Sequence, residues 1–219
     1  MARQNDLVAA LDSLTREMSL LKHPFYQQWT AGTLSLGRLR NYAVQYYGHV
    51  AAFPRYLSAL HSRCEDFEAR QVLLENLIDE ERGTDNHPEL WLRFAEAVGV
   101  ARKELLAAKP LPAAKALVET FEHLSRNASV QAGLAALYVY ESQIPDVASA
   151  KIDGLKRFYG IADDDGVKFF TVHREADPSH AEAVARLIER HGESSEDDRM
   201  TLEVGRAALK AVWDMLDCV

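Results

Sequence analysis

Apolar residues recur every three or four positions along nearly the whole chain, and no convincing stretch alternates apolar with polar as a half-buried strand would. The period selects helix. Leu7, Leu11, Leu14, Met18 and Leu21 mark one face of a helix expected over 6–21. His23 and Pro24 interrupt it. Pro24 suits the first turn of a short helix over 24–31 that displays Phe25, Tyr26 and Trp29 before Gly32 stops it. Ser35 caps a long helix over 36–64, which Pro54 is expected to bend. Helices follow over 67–81 and, after His87-Pro88, over 89–98. The linker Lys109-Pro110-Leu111-Pro112 separates helices rather than domains, and the next helix reaches about 127. The longest pattern, 130–159, reads as one alanine-rich helix kinked at Pro145, followed by helices over 163–176, 178–191 and 196–216. A chain of 219 residues without solenoid-like repeats is expected to form one all-α domain over 1–219, a compact bundle.

Composition narrows the function classes. At 47% hydrophobic and 26% charged residues the chain is globular, which excludes collagenous and disordered classes. Its 25 basic against 33 acidic residues give a net charge of −8 with no basic cluster, which argues against a nucleic-acid partner. The longest oily run, 130–140, contains Gln131 and Gly133 and is too short for a bilayer, so no membrane association is expected. The opening Met1-Ala2-Arg3-Gln4-Asn5-Asp6 lacks the apolar run that secretion needs. Cys64 and Cys218 form no Cys-x-x-Cys pair, so a cytoplasmic protein without zinc ribbon or redox motif is expected.

The sharpest chemical signal is His173-x-x-x-Asp177-x-x-His180. Offsets of four and seven on a helix place the three side chains within an arc of about 60°, where they could share one ion. Two imidazoles and a carboxylate suit iron, manganese or zinc. Against this, Pro178 could split the segment and leave Asp177 as an N-cap. Further donors lie elsewhere. Glu80 and His87 are seven apart, two turns on one face if the helix continues past Gly83, although Glu81 fits the apolar stripe as readily. Glu141 lies in the alanine-rich helix, where it is either an exposed face residue or a buried carboxylate that needs a compensating cation. Three acids and three imidazoles suffice for two divalent ions. His23, His49, His61, His123 and His191 lack such patterns and read as core or surface imidazoles.

At these residues the chain resembles the haem-oxygenase-like di-metal oxidases, specifically the CADD branch named for a chlamydial protein associating with death domains. The landmarks span essentially the whole chain: His23-Pro24-Phe25-Tyr26, Glu80 to His87-Pro88-Glu89-Leu90-Trp91, Tyr140-Glu141-Ser142-Gln143-Ile144-Pro145, Lys151, and His173 to His180. The resemblance implies a seven-helix bundle related to the TenA and PqqC proteins, usually a homodimer. It implies metal ligation by Glu80, His87, Glu141, His173, Asp177 and His180, with iron or manganese as the two ions and O2 and a reductant as co-substrates. It further implies p-aminobenzoate synthesis for folate, in which the protein consumes its own Tyr26 as ring source and Lys151 as amino donor. One departure is Phe169, at the position where the namesake of the branch carries a tyrosine just ahead of its metal-binding histidine. Phenylalanine forms no tyrosyl radical, so any relay through that position is either absent or replaced, with Tyr138, Tyr140 and Tyr42 as the candidates. Rival expectations are a di-metal oxidase acting on an external small molecule, a metal-free TenA- or PqqC-like enzyme, and a non-catalytic interaction module.

Overall fold

The structure, a computed structural model, describes residues 4–190 and 195–219. Eleven α-helices and one 3₁₀ turn follow in chain order, with no strand among the described residues. They are α1 (Gln4–Glu17), the 3₁₀ turn (Leu20–Lys22), α2 (Pro24–Ala31), α3 (Leu36–Arg63), α4 (Phe67–Glu81) and α5 (His87–Ala97). α6 (Arg102–Ala107), α7 (Pro112–Asn127), α8 (Val130–Glu141), α9 (Ile144–Phe158), α10 (Asp164–Arg190) and α11 (Ser195–Asp217) complete the chain. The all-α class is the one that the periodicity predicts. Starts are set by side-chain caps: Ser35, Asp66, Asn86 and Ser129 each accept from the backbone N–H three residues on.

Two boundaries and one short helix differ from expectation. The pattern over 130–159 is two helices rather than one kinked rod. Ser142 and Gln143 separate them, and Pro145 sits in the first turn of α9, where a missing N–H costs nothing. The Gln143 side chain secures the break, accepting from Leu20 N at 2.8 Å and donating to Val139 O at 2.9 Å. The opposite correction applies at Pro178. α10 runs through it unbroken, so Asp177 is a mid-helix residue and not an N-cap. Packing of α10 against α9, α5, α8 and α4 outweighs one lost backbone bond. α10 ends at Arg190, and His191 lies outside the described residues. At Gly83 (φ +80°) the helix carrying Glu80 has already stopped, so Glu80 and His87 meet across a turn rather than along one helix face. Finally α6, only six residues long, has too few turns for a period to show.

The core lies where α8 meets α11, α10, α7 and α3. α8 is buried nearly all round, which explains its oily composition without a membrane. Gly133 permits its close seat: a Cβ there would stand 2.4 Å from Leu60 Cδ2. No helix among the described residues is long and apolar enough to cross a membrane.

Candidate active site

Four helices bring the acids and imidazoles together. α4 supplies Glu80, α5 His87, α8 Glu141 at its last residue, and α10 the series His173, Asp177, His180. Glu80, His87, Glu141 and Asp177 are buried. The ligand atoms of Glu80, His87 and His173 all lie within 4.8 Å of one another. His87 Nδ1 approaches Glu80 Oε2 to 2.8 Å, yet the pair lacks hydrogen-bond alignment and leaves that nitrogen unpartnered. The His87 and His173 rings stand 4.2 Å apart. Glu80, Glu141, His173 and Asp177 line one narrow cavity of about 10 Å³, the room that a single water-sized molecule needs.

The electrostatics describe a place built for positive charge. Burial, opposed by the Asn76 hydrogen bond and reinforced by Glu80, pushes the Glu141 carboxyl up to about 8. Burial, then Glu141 and Glu80, holds the Asp177 carboxyl well above its usual range. Burial, then His87, pulls His173 well below an ordinary imidazole. Of the three buried acids two leave an oxygen, Glu141 Oε2 and Asp177 Oδ2, with no hydrogen-bond partner among the described residues. Two carboxylates and an imidazole that each leave a lone-pair atom unsatisfied in one interior space are costly together. Divalent cations remove that cost, so this donor set fits the di-metal centre that the resemblance implies. His180 is the sixth expected ligand. It is partly exposed, with Nδ1 at 3.9 Å from Asp177 Oδ1 and Nε2 at 3.2 Å from Asp79 Oδ2.

A second cluster adjoins the first. Lys151, on α9, is 4% exposed, and its Nζ donates to Tyr42 Oη at 2.7 Å. The rings of Tyr26, Tyr42, Tyr46, Trp91 and Phe170 surround the amine, with centroids 5.0 to 5.9 Å away. Burial pulls the amine down to about 7, so a large share is neutral near neutrality. Tyr26 Oη lies 3.4 Å from Tyr42 Oη. His23 fixes α2 beneath it, accepting from Phe25 N at 3.1 Å through Nδ1 while Nε2 meets Asp217. The Tyr46 and Tyr140 hydroxyls are 2.6 Å apart, and Tyr140 lines the cavity beside the acids. Tyr138 points elsewhere, donating to Asp12 at 2.6 Å.

Asn76 and Tyr46 belong to the site although no sequence motif singles them out, and Trp91, the last residue of the His87-Pro88-Glu89-Leu90-Trp91 landmark, joins them against the Lys151 amine. Asn76 Nδ2 donates to Glu141 Oε1 at 2.9 Å and so orients that carboxylate. Its signal lies in the helix period: the buried stripe of α4 is Ala69, Leu73, Asn76 and Glu80, which also selects Glu80 over the exposed Glu81.

Comparison with known proteins places the chain in a family. The TENA/THI-4/PQQC family matches residues 10–218, and the chain belongs to that family. Curated proteins named 4-aminobenzoate synthase are similar to it along most of its length. That of Chlamydia muridarum is 46% identical over 94% of this chain and 87% of its own length, and that of Nitrosomonas europaea is 43% identical over 97% and 90%. Among solved structures, a TenA homologue from Pseudomonas syringae superposes with a TM-score of 0.81 at 18% identity, covering 97% of this chain and 90% of its own. A CADD-like protein of unknown function from Nostoc punctiforme gives 0.77 at 19% identity, covering 99% and 96%. The fold is therefore the TenA-like, haem-oxygenase-like bundle that the resemblance implied.

Proposed function

We propose that this chain is an oxygen-dependent di-metal p-aminobenzoate synthase that takes the ring from Tyr26 and the nitrogen from Lys151. Relatives named 4-aminobenzoate synthase at 41 to 46% identity support the product. The observation that carries the internal substrate is the pairing of a buried amine with a buried phenol: Tyr42 Oη touches both Lys151 Nζ and Tyr26 Oη.

The product needs a benzene ring bearing a one-carbon carboxyl para to an amine. Tyr26 already carries Cβ para to a hydroxyl-bearing carbon, so the ring C–O bond must give way to C–N with the oxygen leaving as water, the Cε–Nζ bond of Lys151 must break, and the Cα–Cβ bond of Tyr26 must be cut with Cβ oxidised to the carboxyl at the expense of O2. Lys151 contributes an amine that burial keeps largely free of its extra proton, hence with a lone pair to give. Glu80, His87, Glu141, His173, Asp177 and His180 would hold two ions, iron or manganese, which when bound supply oxidising power drawn from O2 with a reductant.

The tyrosines connect that centre to Tyr26. Burial pushes the phenols of Tyr26, Tyr42, Tyr46 and Tyr140 upward, so all four remain protonated and each must release a proton when oxidised. Each hydroxyl has a neighbour to receive it, Tyr140 with Tyr46 and Tyr42 with Tyr26, and the Tyr42 and Tyr46 rings are 5.2 Å apart. Tyr140 and Tyr42, rather than Tyr138, thus stand in for the tyrosine that Phe169 replaces. A consumed side chain limits each chain to about one turnover.

Isotopes test this. Protein grown with ring-labelled tyrosine and side-chain-labelled lysine should release p-aminobenzoate carrying both labels, and Tyr26→Phe should release none. Unlabelled product would overturn the internal origin of the atoms.

A further inference from the structure

His49 has no part in the scheme above, yet it lines the same cavity as Glu80, Glu141, His173 and Asp177. It lies in α3 at 1% exposure, inside a nest of Tyr46, Phe53, Tyr56, Phe121 and Tyr140 whose centroids are 4.9 to 6.0 Å from its own. Burial pulls the imidazole down to about 3, so the ring is neutral and carries a single N–H. Nδ1 faces the Tyr56 hydroxyl at 3.5 Å. The Tyr56 hydroxyl makes no other hydrogen bond among the described residues, so its proton is satisfied by donating to Nδ1, which leaves the ring proton on Nε2. Nε2 is buried with no partner among the described residues. An N–H left without an acceptor in an aromatic nest is expensive, and an apolar residue would fill the space more cheaply. A small guest that brings an acceptor atom into the cavity resolves this.

We infer, on the strength of the metal centre proposed above, that His49 Nε2–H is the hydrogen-bond donor to the dioxygen-sized ligand that occupies the cavity. Such a donor is fixed before the ligand arrives and favours an orientation in which one ligand atom faces the acids and imidazoles and the other faces α3. Tyr56 acts through His49 as a positioning residue, since its hydroxyl selects the tautomer.

Two readouts test this without turnover. In metal-free protein, 15N NMR of labelled histidine should show His49, assigned by loss of its signal in His49→Phe, as the neutral Nε2–H tautomer throughout pH 6 to 8. An Nδ1–H tautomer or an imidazolium would overturn the inference. In anaerobic ferrous protein, nitric oxide serves as the dioxygen-sized probe in an optical titration. His49→Phe should bind it about tenfold more weakly, roughly 1.4 kcal/mol, with His49→Gln recovering most of the loss and Tyr56→Phe losing severalfold. Wild-type affinity in both His49→Phe and Tyr56→Phe, at equal iron content, would refute the role of His49 and leave the metal centre standing. A wild-type chain that takes up neither iron nor manganese would instead refute the metal centre itself. Should His49→Phe fail to fold, Tyr56→Phe and the NMR tautomer still decide the matter.

Discussion

Replacing Lys151 with methionine should stabilise the metal-free protein, and by an amount that shrinks as pH rises. The amine is fully enclosed and its pKa falls from 10.5 to about 7, with burial as the cause. Folding therefore forces off a proton that the unfolded chain keeps between pH 7 and 10.5, and over that window the wild type gains stability with rising pH. Below pH 7 both states are protonated and the full penalty is present. At pH 6 it amounts to roughly 5 kcal/mol, and at pH 9 to roughly 2 kcal/mol, since each tenfold change in proton affinity is worth about 1.36 kcal/mol. Methionine removes this penalty, keeps the unbranched shape and gives up one hydrogen bond to Tyr42, worth about 1 kcal/mol. The expected gain is about 4 kcal/mol at pH 6 and about 1 kcal/mol at pH 9. Urea unfolding of both proteins at the two pH values measures it. A gap that stays constant or widens with pH would refute the claim that the folded chain holds this amine as a free base.

Other consequences follow from the same geometry. Tyr42→Phe removes the hydroxyl that links the amine to Tyr26 while leaving the acids untouched, so p-aminobenzoate yield per chain should fall at least tenfold at unchanged metal content by elemental analysis. Asn76→Ala removes the donor to Glu141 and should weaken metal retention about 10- to 100-fold in a chelator competition. Because the metal-free Glu141 carboxyl titrates near 8 and Asp177 is raised as well, loading metal at pH 7 should release at least one proton per chain, and affinity should fall as pH drops. Calorimetry in buffers of different ionisation enthalpy measures both. Gly154→Ala would bring a Cβ within 2.4 Å of Trp29 Cδ1 and should cost about 1–3 kcal/mol, read as a lower thermal midpoint.

Periodicity makes most helices legible, α4 and α11 to within a residue at each end, and Gly83 lies just past the end of α4. Prolines mislead in both directions. Pro145 suggests a kink although a first-turn proline costs nothing, and Pro178 suggests a break although the packing of α10 carries the helix through it. Tertiary contacts decide each case, and they are invisible to a local pattern. The acids and imidazoles are legible because their spacing on α10 and the buried position of Glu141 carry chemistry in one dimension. Tyr46 and His49 are not, since an aromatic or imidazole on an apolar face looks like ordinary core until its hydroxyl or nitrogen is seen to lie 2.6 Å from another or to lack any partner.

The consumption of Tyr26 is tested most directly by weighing the intact chain before and after it meets ferrous and manganous ions, a reductant and air. The account predicts a loss of mass that peptide mapping assigns to Tyr26, a matching change at Lys151, and no more than about one p-aminobenzoate per chain. Product accumulating over several equivalents from a chain of unchanged mass would contradict it.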